Sequence, residues 1–324
     1  MLNIHIMNAI KILQKEWNTS CVYEKTFYIS LMVFVLLSIT KYFHVKYFKE
    51  GLENNSPNAK YFVDKFRIRK TLLDIYDAFY VSLYDKIFFD PYRYQCELNT
   101  IVKYTKINKN SNVLDVGSGT GHILRGLHAY TKNVQGIDIS NEMIKKAKKK
   151  YPYIMFQHGN AMDNMTYEPN TFTHILAMYF SLYMFKDKYG LLNNIYSWLR
   201  PNGYFVVHVV NRKMFDPIVA PANPVAFVSV QKYAKQRITK STVKFNDFTY
   251  QSNFKLDDSK DKAIFEETLK HDQTGNIIQN IHTVHAPSLQ EIMNLAQKIG
   301  FKIIQKVDMV ECEHEYQYLY ILQK

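Results

Sequence analysis

One stretch constrains the fold more than any other: Asn112-Val113-Leu114-Asp115-Val116-Gly117-Ser118-Gly119-Thr120-Gly121-His122-Ile123. A short apolar run ends in an acid and breaks into three alternate glycines. A helix-compatible segment follows. The pattern predicts a strand, a tight turn and a helix whose first backbone N–H groups face whatever occupies the turn. Glycine suits such a turn because a ligand must approach the backbone closely and because a positive φ costs it little. This arrangement implies an adenosine-type cofactor.

The residues that follow keep the strand-helix alternation. Ile123, Leu124 and Leu127 supply a buried helix face, and Asn133 to Asp138 reads as the next strand. Asp138 lies 17 residues after Gly121, where an acid can bond a ribose diol. Ser140 is placed to N-cap the next helix, with Glu142 in its first turn and Lys145, Lys146, Lys148, Lys149 and Lys150 near its end. A third strand is expected at Ile154 to Gln157. Two cofactors compete at this point. A nicotinamide or flavin dinucleotide site favours the spacing GxGxxG. Here the spacing is GxGxG, Asp115 stands two residues before the first glycine, and His122 occupies the helix-packing position.

From VLDVGSGTG onward the chain resembles the class I S-adenosylmethionine-dependent methyltransferases, over roughly Tyr76 to Lys324. The resemblance implies an α/β fold: a Rossmann-like seven-stranded mixed sheet with helices on both faces, and S-adenosylmethionine as cofactor. It implies that Asp115, Gly117, Ser118, Gly119 and Gly121 form the cofactor turn and that Asp138 takes the ribose hydroxyls. Ile139, Met143, Asn160, Ala161 and Met178 complete the implied cofactor set. Asn160 stands where the family usually has Asp, and its side-chain carbonyl can still accept a hydrogen bond. Thr173 to Met178 is an apolar strand implied to end beside the transferred methyl. Leu199-Arg200-Pro201-Asn202-Gly203 resembles the family's turn into the fifth strand, with Asn202 replacing a glycine and tolerating positive φ. Ser288 to Glu291 is a capping box, Gly300 a helix stop, and Phe301 to Val307 and Tyr316 to Ile321 supply the last two strands.

Acceptor identity lies outside these motifs. The family's DNA-amino signature is absent after the fourth strand, where Met178-Tyr179-Phe180-Ser181 stands, and no cysteine lies between Cys96 and Cys312 to act as a cytosine-C5 nucleophile. Residues 211–287 are too long for a loop, and partial alternation predicts antiparallel strands within Lys240 to Lys255, Ala263 to Lys270 and Ile277 to His285. An added antiparallel sheet covering the active site is similar in layout to the nucleotide-sugar N,N-dimethyltransferases. The expected reaction is methyl transfer to N or O of a small-molecule acceptor. Methylation of a lipid or quinone, methylation of RNA, and a non-catalytic cofactor-binding scaffold are the rivals. Tyr179, Tyr183 and His208 are the candidate catalytic residues, each weighed against a core-packing role. Tyr76, Tyr80 and Tyr84 belong to an aromatic stripe at helical spacing within Tyr61 to Phe89 that reads first as core. No metal site is expected, since His282 and His285 would point to opposite faces of a strand.

The N-terminal region carries a separate expectation. Thr26 to Thr40 is an uncharged run of 15 residues. As a helix it spans roughly 22 Å against a hydrocarbon core of ~30 Å, and it reaches membrane length only if extended to Val45 past Lys41. The resulting division is a polar segment at 1–25, a transmembrane or buried hydrophobic helix at 26–45, a linker at 46–59 and a methyltransferase domain at 60–324. The reading is a single-pass, membrane-associated protein whose catalytic domain faces the cytoplasm, with a cytoplasmic protein as the alternative. The net charge of +12 suggests nucleic acid or an anionic surface, but the basic residues are dispersed and fit a solvated surface better. Cys21, Cys96 and Cys312 are far apart with no CxxC pair, which predicts no disulfide framework and fits a reducing compartment.

Overall fold

The computed structural model describes residues 25, 26, 29, 66–69, 72–222, 231 and 234–324. The chain divides into two compact units, Met1–Pro57 and Asn58–Lys324. All that follows concerns the second.

Two sheets organise this unit. The larger has seven strands: β2 (Asn112–Val116), β3 (Asn133–Asp138), β4 (Met155–His158), β5 (Phe172–Ala177), β6 (Leu199–Val210), β11 (Lys302–Asp308) and β12 (Gln317–Gln323), in the order β11-β12-β6-β5-β2-β3-β4. Strands β2 to β6 pair in parallel, while β12 is antiparallel to both β6 and β11. Both faces are covered, so neighbouring residues of one strand serve different cores. Leu114, Ile175 and Val207 join Trp198 and Phe205 on one side; Val113, Leu176 and Val206 join Leu124 and Ile144 on the other. This explains the near-continuous apolar strands of the parallel region. The sequence places these strands within one or two residues of where they occur, except β6, which takes in the expected turn at Leu199–Gly203 and runs on to Val210.

The helices begin where their caps dictate. Helix α1 is Leu72–Ile75 and α2 is Ala78–Phe88, the latter capped by Asp77, whose carboxylate accepts from the Tyr80 N–H. Helix α3 (Pro91–Thr105) starts at a capping Asp90 with Pro91 in its first turn. Helix α4 (His122–Leu127) follows the glycine turn, α5 (Asn141–Lys150) is capped by Ser140, and α6 (Ser181–Met184) and α7 (Lys188–Trp198) follow β5. Helix α8 (Leu289–Ile299) opens with the Ser288–Glu291 capping box and closes at Gly300. Asn202 has φ +62°, as its place in the turn requires.

The second sheet has the order β1-β10-β9-β8-β7, from β1 (Phe66–Arg69), β7 (Lys240–Lys244), β8 (Phe248–Asp257), β9 (Lys262–His271) and β10 (Ile277–His285). Strands β7 to β10 form the antiparallel meander expected within 211–287. Strand β1 was not expected. It lies in a stretch of helical spacing, yet it pairs in parallel with β10, Arg69 opposite Asn280.

Two further expectations are corrected. Cys96 and Cys312 form a disulfide with a Cα–Cα distance of 5.9 Å. They are 216 residues apart in sequence, but α3 packs against β12 and the short helical turn Met309–Cys312. The single-pass membrane reading is also overturned: among the described residues no helix is long and apolar enough to cross a membrane. Apart from Thr26 and Ile29, the segment 26–45 lies outside the described residues, and its uncharged run falls short of a hydrocarbon core by length alone.

Candidate active site

Strand β2 has β3 on one side and β5 on the other, so the chain order reverses at its carboxyl end. Ligands of open α/β sheets bind at such a switch point. The glycine turn lies there. Gly117, Gly119 and Gly121 all have positive φ, at +72°, +51° and +84°. Gly121 must be glycine for a second reason: a Cβ would lie 2.5 Å from Cζ of the Phe156 ring. Gly119 is different, because a Cβ there would meet nothing within 4 Å. The space over Gly119 is open.

Asp138, at the end of β3, closes onto this turn. Its carboxylate accepts from the Gly119 N–H at 2.9 Å and from the Ser140 N–H at 2.8 Å. Burial raises its pKa, and the two N–H groups oppose that rise. Asp115 is 2% exposed, and its Oδ1 has no hydrogen-bond partner. Burial lifts this carboxyl well above the usual range, and the charges of Asp138 and Glu97 add to the lift. Ser118 Oγ is likewise buried without a partner. The turn thus has open space at Gly119, and Asp115 and Ser118 on and before it keep polar atoms without partners, which fits a ligand that brings its own hydrogen-bonding groups. Of the other cofactor candidates, Met143, Ala161 and Met178 are buried, while Ile139 and Asn160 are exposed at the carboxyl ends of β3 and β4. The Asn160 Oδ1 accepts from the Met162 N–H at 3.0 Å.

Helix α2 is tied to the turn. Thr120 Oγ1 donates to Asp85 at 2.6 Å, and Asp85 also pairs with Lys150, Lys146 and His122 at 3.0, 3.1 and 3.2 Å. Burial works against ionising Asp85. Hydrogen bonding to His122 and the two lysine charges outweigh it and hold the carboxyl below the usual range.

The three catalytic candidates separate. Tyr179 and Phe180 follow β5 with φ of +39° and +63°, an uncommon pair for bulky residues and a signature of functional segments. The half-buried Tyr179 ring lies 3.8 Å from the Arg93 guanidinium carbon and 6.4 Å from the Phe88 ring. Tyr183 is in the core, its hydroxyl accepting from the Val210 N–H at 2.8 Å. His208 is fully buried; Nε2–H donates to Gln317 at 3.0 Å, and Nδ1 accepts from the Phe180 N–H at 3.4 Å. Burial, aided by the Arg93 charge, pushes its pKa down to about 3. His208 is therefore neutral near pH 7, with both nitrogens engaged, and it braces the Tyr179–Phe180 corner.

Sequence reasoning named Tyr80 and His282 singly but not the group they form around Glu267. Glu267 on β9 is completely buried and accepts from Tyr80 at 2.7 Å, from Tyr250 at 2.8 Å and from His282 Nε2 at 2.6 Å. Tyr76, just before α2, and Tyr80, Tyr84 and Phe88 on it run from this group to Tyr179, each ring within 6.4 Å of the next. The aromatic stripe is thus core on one side and the wall of the site on the other. Arg93 and Glu97, a buried pair on α3 at 3.6 Å, back this wall; burial raises the Glu97 carboxyl to about 7 against the opposing charge of Arg93. Only the alternation of β9 and β10 hinted at these residues, by placing Glu267 and His282 on inward faces.

Comparison with known proteins agrees with this geometry. A family model described as a methyltransferase domain matches residues 113–203. A demethylmenaquinone methyltransferase from Chlorobaculum parvum is 28% identical over 149 residues, covering 46% of this chain and 58% of its own length. The chain therefore spans little more than half of that relative. Among solved structures, an S-adenosylmethionine-dependent methyltransferase from Clostridium acetobutylicum aligns with a TM-score of 0.56 at 14% identity, over 75% of this chain and 97% of that one. An amino pentose methyltransferase from Micromonospora echinaspora, solved with S-adenosylmethionine bound, aligns with a TM-score of 0.52 at 14% identity, over 71% and 91%. At such identities the structures speak for the fold alone. Motif, turn geometry and matched domain together place the chain among the class I S-adenosylmethionine-dependent methyltransferases, with S-adenosylmethionine as its cofactor.

Proposed function

We propose that the chain transfers the methyl group of S-adenosylmethionine to a nitrogen or oxygen of a small-molecule acceptor, through a domain spanning 60–324 in which 211–287 forms the acceptor side. The cofactor supplies a methyl on a positively charged sulfur. In this reading Gly117, Ser118, Gly119 and Gly121 cradle it, Asp115 and Asp138 bond its polar groups, and Ile139, Met143, Asn160, Ala161 and Met178 surround its base and methyl end. Tyr179 borders the acceptor. Enzymes of this kind act chiefly by aligning two reactants and excluding water. The observation that carries the reading is the glycine turn itself: three positive-φ glycines at the switch point, open space at Gly119, and Asp138 accepting from the Gly119 N–H. The layout of a covering antiparallel sheet supports an amino-sugar-like acceptor, and the amino pentose enzyme shares that fold.

A quinone acceptor is the second reading, favoured by the demethylmenaquinone methyltransferase similarity and by the aromatic wall. Calorimetry of the full chain with S-adenosylmethionine and with NAD tests the donor. Binding of S-adenosylmethionine weakened by Asp138→Ala is expected; binding of NAD alone would refute the proposal. Transfer of labelled methyl into the polar small-molecule fraction of a lysate, rather than into quinones, lipid or RNA, is the expected outcome for the acceptor.

A further inference from the structure

The group around Glu267 is more than a core polar cluster. One row of side chains crosses the second sheet in register: Arg69 on β1, Asn280 on β10, Glu267 on β9, Ser252 on β8 and Ser241 on β7. All five are buried. A buried carboxylate calls for a countercharge. Arg69, the guanidinium on that row, is held instead by Asp77. Glu267 receives three donors, two tyrosine hydroxyls and one imidazole N–H, none of them a fixed cation. Burial beside Glu267 raises the Tyr80 and Tyr250 hydroxyls well above their ordinary value, so both remain protonated donors.

His282 is 5% exposed, and its Nε2 is committed to Glu267. That contact fixes the tautomer and leaves Nδ1 as an acceptor with no partner among the described residues. Oδ1 of Asn280, 1% exposed on the same sheet face, is a second acceptor without a partner. The rings of Tyr76, Tyr80 and Phe265 lie 6.0, 6.1 and 5.9 Å from the imidazole. Phe265 reaches Phe88 at 6.4 Å, and Phe88 reaches Tyr179 at the end of β5. Half-buried Tyr76, Tyr84, Tyr179 and Phe265 thus lead inward to two acceptor atoms without partners among the described residues and to buried Glu267. A ligand with N–H donors fits these acceptors.

The geometry points to an amine as the methyl acceptor, with His282 as the residue that takes its proton and Glu267 as the residue that positions His282. This rests on the methyltransferase reading and narrows it from nitrogen or oxygen to nitrogen. The amine lone pair forms the new N–C bond; the S–C bond breaks with its electron pair left on sulfur; the nitrogen becomes cationic and passes its proton to Nδ1. Aromatic faces and the Glu267 charge favour positive charge arriving at nitrogen, and the same carboxylate then pairs with the imidazolium. The titratable groups packed on His282 are Glu267 from β9, Tyr76 from just before α2 and Tyr80 from α2; Tyr250 from β8 meets Glu267, and Arg69 from β1 stands opposite Asn280, two residues before His282.

The test uses the full chain with His282→Gln, which keeps an N–H for Glu267 but cannot accept a proton, and Glu267→Gln. Calorimetry with S-adenosylmethionine comes first. Loss of binding in the wild type refutes the methyltransferase reading and this one with it; unchanged binding in both variants is expected. Labelled methyl transfer is then measured with glucosamine and benzylamine against glucose and benzyl alcohol. Amines alone should be labelled. His282→Gln should lower the rate about 100-fold or more, within the range of general-base catalysis, and abolish the limb in which rate rises with pH as the imidazole becomes neutral. Glu267→Gln should lower kcat with little change in cofactor affinity, and Glu267→Asp, which restores a carboxylate, should recover part of the loss, a rescue not expected if the residue only fills space. Without cofactor, benzylamine should quench tyrosine fluorescence in the wild type and bind at least tenfold more weakly to Glu267→Gln. Labelling of alcohols, no labelling by a chain that binds S-adenosylmethionine, or wild-type rate and pH profile in His282→Gln would overturn the inference.

Discussion

Gly119→Ala separates the two tasks of the glycine turn. Gly119 has φ +51°, so alanine incurs the left-handed penalty of about 1–2 kcal/mol. No further cost is expected in the free protein, since the new methyl meets nothing within 4 Å. For a unit of this size that is a fall in Tm of roughly 2–8 °C. The methyl nevertheless occupies the space into which the cofactor must come. Affinity for S-adenosylmethionine should fall at least tenfold, about 1.4 kcal/mol or more. Gly121→Ala is the control. Its methyl would lie 2.5 Å from Cζ of Phe156, a ring 3% exposed, adding an overpacking cost of roughly 1–3 kcal/mol. Differential scanning fluorimetry and titration calorimetry on the pair give both numbers. Wild-type affinity in Gly119→Ala would refute the assignment of this space to the cofactor. A Tm loss as large as that of Gly121→Ala would refute the claim that the space is open.

Three other outcomes follow from the same geometry. His208 holds a folded pKa of about 3 against an ordinary 6.5, so the unfolded chain binds the extra proton between those values. Its stability contribution is full above pH 6.5 and falls as pH drops toward 3, by roughly 1.4 kcal/mol per pH unit; denaturant midpoints of wild type and His208→Asn should converge across that window, and parallel curves would refute the burial argument. Nonreducing peptide mapping should recover Cys96 linked to Cys312, and Cys312→Ser should lower Tm only without reductant, through the loss of up to about 5 kcal/mol of chain entropy for so long a loop. Asp85→Asn strands two lysines beside the glycine turn and should cost about 1–3 kcal/mol of stability while weakening S-adenosylmethionine binding, read by calorimetry; unaltered binding would mean that α2 does not support the turn.

What could be read from the chain alone follows the range of the interactions. The glycine turn, the Ser140 cap, the Asp90–Pro91 start and the Ser288–Glu291 box are each made within a few residues, so their patterns survive in sequence. Strand β1 was hidden because its only described partner is β10, more than 200 residues away, and because it adjoins aromatic residues at helical spacing. The disulfide was hidden for the same reason: Cys96 and Cys312 are 216 residues apart and meet only through the packing of α3 on β12 and the turn Met309–Cys312. Arg93 and Glu97 look like an ordinary exposed pair four residues apart on a helix, and only packing shows that both are buried.

The same distinction separates the donor from the acceptor half of the site. The centre of the proposed donor half is one strand, one turn and one neighbouring acid within residues 112–138, with Met143, Asn160, Ala161 and Met178 following in chain order. The acceptor half draws Tyr80 from α2, Tyr179 from the end of β5, Tyr250 from β8, Glu267 from β9 and His282 from β10. No local pattern can announce five elements that meet only through topology. Yet the two halves share one support. Tyr80, Tyr84 and Phe88 recur every four residues along α2 and face the acceptor side, while Asp85 on the same helix receives the Thr120 hydroxyl from the glycine turn. A displacement of α2 therefore moves the acceptor wall and the cofactor turn together. Alignment of donor with acceptor is the main service such an enzyme performs, and in the proposed site one helix joins both halves.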